Sequence, residues 1–93
     1  MIEVSEQAKV ELKRILMNYV DNPQAGLRLT PAESGLFGLG IDVEMPGDEV
    51  VEHEGSKVLI IAKELAMNLQ GITMDVQDTP DGPKIVLLEQ PDE

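Results

Sequence analysis

The stretch SGLFGLGIDVE, Ser34 to Glu44, admits two readings that lead to different folds. Its glycines, Gly35, Gly38 and Gly40, sit close enough together to suggest a loop that cradles phosphate. A dinucleotide loop needs a strand, then Gly-x-Gly-x-x-Gly, then a helix whose N-terminus meets the pyrophosphate. Here the order is Gly-x-x-Gly-x-Gly, no Walker lysine follows, and the chain continues in alternation. Phe37, Leu39, Ile41, Val43 and Met45 fall on one face; Gly38, Gly40, Asp42 and Glu44 fall on the other. Period-2 alternation predicts a strand with one buried face. On the opposite face Gly38 and Gly40 thin the strand and let backbone or another chain approach.

Upstream, Ala8, Leu12, Ile15, Leu16 and Tyr19 recur at helical spacing and predict an amphipathic helix over 6–20. Ser5 is a suitable N-cap, and Glu6 suits the positive end of the helix dipole. Asp21-Asn22-Pro23 ends the helix. GLRLT, from Gly26 to Thr30, reads as a short strand with Leu27 and Leu29 on one side and Arg28 on the other. Residues 31–35 read as a loop.

Downstream, Pro46-Gly47-Asp48 is a turn. EVVEH and SKVLII read as strands joined at Glu54-Gly55. AKELAMNLQG is a short helix stopped by Gly71. In ITMDVQD, Ile72, Met74 and Val76 point inward, and Thr79 to Pro83 turns the chain. KIVLL is continuous enough to predict a central or doubly covered last strand. Strands cluster instead of alternating with helices, so the class is α+β with antiparallel or mixed sheets. The chain reads as one domain over residues 1–93, with 89–93 a flexible polar tail.

Composition narrows the function. Eighteen acids against seven bases give a net charge of −11, which repels phosphate backbones and argues against nucleic acid. One Phe, one Tyr and no Trp leave almost no platform for stacking bases. The chain has no cysteine, which excludes disulfides, thiolate ligands and thiol nucleophiles from these residues. No apolar run approaches the roughly 18 residues of a membrane span, and no basic-then-apolar leader is visible; the expected compartment is the cytoplasm.

Three sets of residues bear on chemistry. His53, the only histidine, sits among carboxylates in DEVVEHE and is the weak candidate for a divalent-metal ligand. In a strand, however, Glu52 and Glu54 point away from it, which favours an exposed edge with scattered acids. Arg28, mid-strand, either pairs with acids across the sheet or binds an anionic group. No serine has a visible His-plus-acid arrangement, and no acid is marked as buried, so the chain is expected not to be an enzyme.

The order of the pieces resembles the HesB-like (IscA-type) iron–sulfur cluster assembly domain over residues 2 to about 88. The match is carried by IEVSEQA at the start, GLR at Gly26 to Arg28, the acid-and-glycine hairpin around Val51 to Val58, and GITMD at Gly71 to Asp75. The resemblance implies a compact β-sandwich of mostly antiparallel or mixed strands with one amphipathic N-terminal helix and one short helix. It also implies self-association into dimers or tetramers. The family's Gly-Cys-Ser-Gly aligns with Gly35-Leu36-Phe37-Gly38, so Leu36 occupies the position of the cluster-ligating cysteine. The family's C-terminal Cys-Gly-Cys has no counterpart before Glu93. The implied protein is a divergent member without cluster ligands or cofactor, with a non-catalytic binding or assembly role linked to iron–sulfur biogenesis through an unidentified protein partner. The alternative is a small metal or anion binder using His53 with carboxylates, or Arg28.

Overall fold

The computed structural model describes residues 2–19, 22, 24–31 and 37–89. Seven strands and two helices follow in the order β1 (Glu3–Val4), α1 (Glu6–Tyr19), β2 (Ala25–Pro31), β3 (Phe37–Val43), β4 (Glu49–His53), β5 (Ser56–Ile61), α2 (Lys63–Asn68), β6 (Ile72–Thr79) and β7 (Gly82–Glu89). They form a three-stranded sheet, β1-β6-β7, and a four-stranded sheet, β3-β2-β5-β4. The hairpin pairs β2/β3, β4/β5 and β6/β7 are antiparallel, while β1/β6 and β2/β5 are parallel. This is the α+β arrangement of mixed sheets expected from the sequence, with the two-residue β1 added.

The first helix begins where a serine can close its open end. The Ala8 N–H donates to Ser5 Oγ at 3.1 Å, which satisfies one of the free amides of the first turn. Ser5 Oγ in turn donates to Asp75 Oδ1 at 2.7 Å, and the Ser5 N–H to the Met74 carbonyl at 2.9 Å. The cap therefore also anchors the helix start to β6. Ala8, Leu12 and Leu16 are buried, and α1 packs against strands of both sheets. Burying a leucine such as Leu12 contributes about 1.5–3 kcal/mol. Tyr19, expected on the same face, is exposed, because the last turn runs beyond the core.

One continuous core joins Leu12 and Leu16 of α1, Leu27 and Leu29 of β2, Leu59 and Ile61 of β5, and Met74 of β6. The β4–β5 turn explains its sequence: Glu54 has φ 51° and Gly55 φ 82°, the paired positive values of a two-residue hairpin turn. Between β2 and β5 the backbones approach closely at Gly26. A Cβ there would run into the Lys57 carbonyl oxygen and lie 3.0 Å from Ile60 Cδ1.

Two expectations about the sheets require correction. Among the described residues β7 is an edge strand paired only with β6, not a central one, and Leu88 is exposed. An uninterrupted apolar run does not distinguish a covered strand from an edge strand that contributes one face to a groove. Glu89, expected as the first residue of the tail, instead closes β7; residues 90–93 lie outside the described residues.

Candidate functional site

The glycine-flanked segment Ser34–Glu44 is described only from Phe37 onward. Gly35 and Leu36 lie outside the described residues, so the expectation placed on Leu36 is not addressed by the geometry. From Phe37 the strand forms as predicted, in register with β2: Leu29 faces Leu39, Arg28 faces Gly40, and Leu27 faces Ile41. Its buried face does not form as predicted. Phe37 is 37% exposed, Ile41 48%, Val43 42% and Met45 54%. Only Leu39 packs against the core. β3 is the outer strand of its sheet, and its apolar side chains share a face with Leu27 and Leu29 but lie beyond what the core covers. Gly38 and Gly40 admit no close neighbour either: a Cβ at Gly38 would meet Thr30 Oγ1 at 3.5 Å, and one at Gly40 would meet nothing within 4 Å among the described residues.

Arg28 lies on the other face of the same hairpin and is bound on three sides. Its Nε donates to Asp42 Oδ2 at 2.6 Å, and its Nη2 to Asp48 Oδ2 at 2.5 Å and to the Val43 carbonyl at 3.2 Å. The arginine side chain is 15% exposed and that of Asp48 7%. Asp48 Oδ2 also accepts from the Met45 N–H at 2.8 Å, so the arginine holds the β3–β4 turn against the sheet. The hydrogen bond from Arg28 holds the Asp48 carboxyl below its ordinary value, against the opposing effect of burial. Asp42 is lowered by the Val43 N–H first and by Arg28 second. Of the two roles read for Arg28 from the sequence, pairing across the sheet is the one the structure displays. An anion at this guanidinium competes with two carboxylates already bound.

His53 stands at the end of β4, opposite Ser56. Glu54 was expected to point away from it. The positive φ of Glu54 instead takes that residue out of strand geometry, leaving its Oε1 3.6 Å from His53 Nε2 and 3.4 Å from Lys13 Nζ. The distance to His53 is too long for a hydrogen bond. Glu49, at the other end of β4, pairs in register with Ile61, and its Oε2 is buried without a hydrogen-bond partner. Among the described residues no group of three His, Cys, Asp or Glu side chains converges as a metal site would require.

A groove of about 780 Å³ runs between the sheets, lined in part by Ile15, Leu29, Leu39 and Leu87, with Glu11 and Lys84 as charged members of its wall. Its volume is within the range of about 300–1,000 Å³ usual for small-molecule sites. Glu11 is buried and committed: Arg14 Nε donates to Oε1 at 2.9 Å and Nη2 to Oε2 at 2.5 Å, which lowers the Glu11 carboxyl despite burial. The groove thus offers apolar surface but no free acid–base pair among the described lining residues. Sequence reasoning missed both Glu11 and Asp48 as structured groups. The i,i+3 spacing of Glu11 and Arg14 was a usable signal for the first. Asp48 had none, because its partner lies on a strand 20 residues earlier.

Neither a protein-family model nor a curated protein matches the sequence. Solved structures do match. Escherichia coli SufA, involved in biosynthesis of iron–sulfur clusters, gives a TM-score of 0.68 at 17% identity, covering 95% of this chain and 84% of its own. IscA, solved with a 2Fe–2S cluster, gives 0.64 at 23% identity over 96% and 85%. A protein from Aquifex aeolicus, solved by solution NMR, gives 0.58 at 22% identity over 95% and 90%. The chain therefore has the fold of SufA and IscA, which is the fold the sequence resemblance implied. A thiolate-held cluster does not fit the donor set of these 93 residues, which contain no cysteine. No helix among the described residues is long and apolar enough to cross a membrane.

Proposed function

We propose that this protein is a HesB-like domain that serves iron–sulfur cluster assembly in the cytoplasm as a non-catalytic binding or assembly component, acting through a protein partner without ligating a cluster itself. One observation carries the reading: the fold of SufA, involved in iron–sulfur cluster biosynthesis, and of cluster-bound IscA extends over 95–96% of a chain that has no cysteine. A frame without thiolates lacks the groups that hold a cluster, which leaves binding to a partner as the role proposed for it. Arg28, Asp42 and Asp48 support the reading by serving the β2–β3 hairpin itself, with no side chain in that cluster left over for acid–base work.

The test is reconstitution with ferrous iron and sulfide under anaerobic conditions, followed by visible absorption and iron analysis. The expected product is colourless with substoichiometric iron. A reproducible absorption band with stoichiometric iron overturns the claim that the chain does not ligate a cluster. Affinity capture from the native cell tests the other half: enrichment of iron–sulfur assembly proteins supports the role, and their absence among reproducible partners retires it.

A further inference from the structure

We infer that the groove between the sheets binds a linear monocarboxylate of medium chain length, its apolar tail lying along β7 and its carboxylate at Lys84. The inference does not rest on the role proposed above, and its test reads neither iron nor a protein partner. The tail follows from where the core is left open. Ile15, Leu39, Ile72, Ile85 and Leu87 pack against the core but are only partly buried, and all five line this groove. Met74, fully buried, lines it too. One helix and both sheets thus leave apolar surface uncovered at a single concave place. A linear apolar chain laid there leaves water together with that surface, which tightens binding by about fourfold for each methylene buried. From Pro83 to Leu87 the groove follows β7 for about 14 Å, at about 3.4 Å per residue. That length and the volume of about 780 Å³ suit a small molecule.

The head group follows from charge. Two charged residues line the groove, Glu11 and Lys84. Both oxygens of Glu11 accept from Arg14, so that acid is neutralised where it stands. Lys84 is exposed and, among the described residues, has no carboxylate within ion-pair distance; across the β6–β7 ladder it faces Gln77. Elsewhere cations are committed: Lys9, Lys13, Arg14, Arg28 and Lys57 each hold a carboxylate. In a chain with 18 acids and 7 bases, a lysine left over at an apolar groove is the charge that a ligand's carboxylate complements. Lys84 alternates with Ile85 and Leu87, so its flexible stem keeps the ammonium in water at the mouth while those neighbours face the tail. Acids further away are screened over about 8 Å at physiological ionic strength, which leaves the choice of head group to what stands at the mouth. The nearest rival is Asp78, opposite Pro83 in a neighbouring cleft, which would favour a cationic head instead.

Methyl-labelled protein titrated with hexanoate, octanoate and decanoate below their micelle concentrations tests the site by NMR. The methyl signals of Leu39, Ile85 and Leu87 are expected to shift saturably, and those of Val50, which does not line the groove, to stay in place. Affinity should rise by about fourfold per added methylene along the series. Octanoate should bind more tightly than octan-1-ol, and octan-1-ol more tightly than octylammonium. Lys84 is exposed, so Lys84→Gln leaves the fold intact; it should remove the advantage of octanoate over octan-1-ol, up to about fivefold, and leave octan-1-ol binding unchanged. Lys84→Glu should place octylammonium ahead of octanoate. The proposal is overturned if decanoate shifts no groove methyl saturably, or if affinity does not depend on chain length. Tighter binding of octylammonium to the unmodified chain overturns it in favour of a head group at Asp78, and an octanoate affinity that Lys84→Gln does not change removes Lys84 as the anchor.

Discussion

Alanine at two glycines of the same hairpin should have opposite effects on stability. At Gly26 the added methyl meets the Lys57 carbonyl oxygen, with Ile60 Cδ1 and Cγ1 at 3.0 and 3.2 Å. The isoleucine can rotate away. The carbonyl belongs to the backbone of β5 and moves only if β5 separates from β2. Overpacking of this kind costs about 1–3 kcal/mol. Against it stands the smaller freedom of alanine in the unfolded chain, a gain of about 0.4–1 kcal/mol. The net loss for Gly26→Ala is about 1–2 kcal/mol, or roughly 4–16 °C in melting temperature for a domain of this size. At Gly40 there is no such neighbour, and only the unfolded-state gain remains, about 0.4–1 kcal/mol. Urea unfolding followed by circular dichroism, at protein concentrations low enough to exclude self-association, reads both differences. Equal shifts at the two positions, or a Gly26→Ala protein as stable as its parent, would refute the account of β2–β5 packing.

Other perturbations test the remaining structural claims. Ser5→Ala removes the cap of α1 and its bond to Asp75, and is expected to cost about 1–2 kcal/mol in the same unfolding assay; an unchanged midpoint would deny Ser5 that role. Stability should also fall in acid. The carboxyls of Asp48 and Glu11 are depressed in the fold below their ordinary 3.8 and 4.5, so their contribution is complete above those values and is lost as pH falls through the folded ones. Unfolding midpoints should be level from neutrality to about pH 5 and should decline below about pH 4. Arg28→Met should remove the Asp48 share of that slope. At neutral pH it should cost about 2–3 kcal/mol, between the values for exposed and fully buried pairs, because Asp48 is left buried without its cation. A pH profile identical to that of the parent would show that the pair does not set it.

Much of the fold was legible because its signals are local. Ser5 before the Ala8–Leu12–Leu16 spacing marked α1, Glu54-Gly55 marked a hairpin, and alternation from Phe37 separated a strand from a phosphate loop. The two-residue β1 was too short to show any period. The site was less legible. Leu36 was placed by resemblance alone, and His53 was read with strand geometry that Glu54 does not keep.

By itself, then, the sequence determined which segments other than β1 are strands and helices, which face of each is apolar, and that no thiolate is available among these residues. Tertiary structure alone decided where each strand stands in its sheet. Alternation reports that β3 has an apolar face but not whether anything covers it, and an apolar run does not show that β7 lies at an edge. What packs on those faces comes from distant parts of the chain. For the same reason only the folded chain reveals that Arg28 is held by Asp42 and Asp48: ion pairing depends on proximity in space, and Asp48 reaches the arginine from the β3–β4 turn, 20 residues further along the chain.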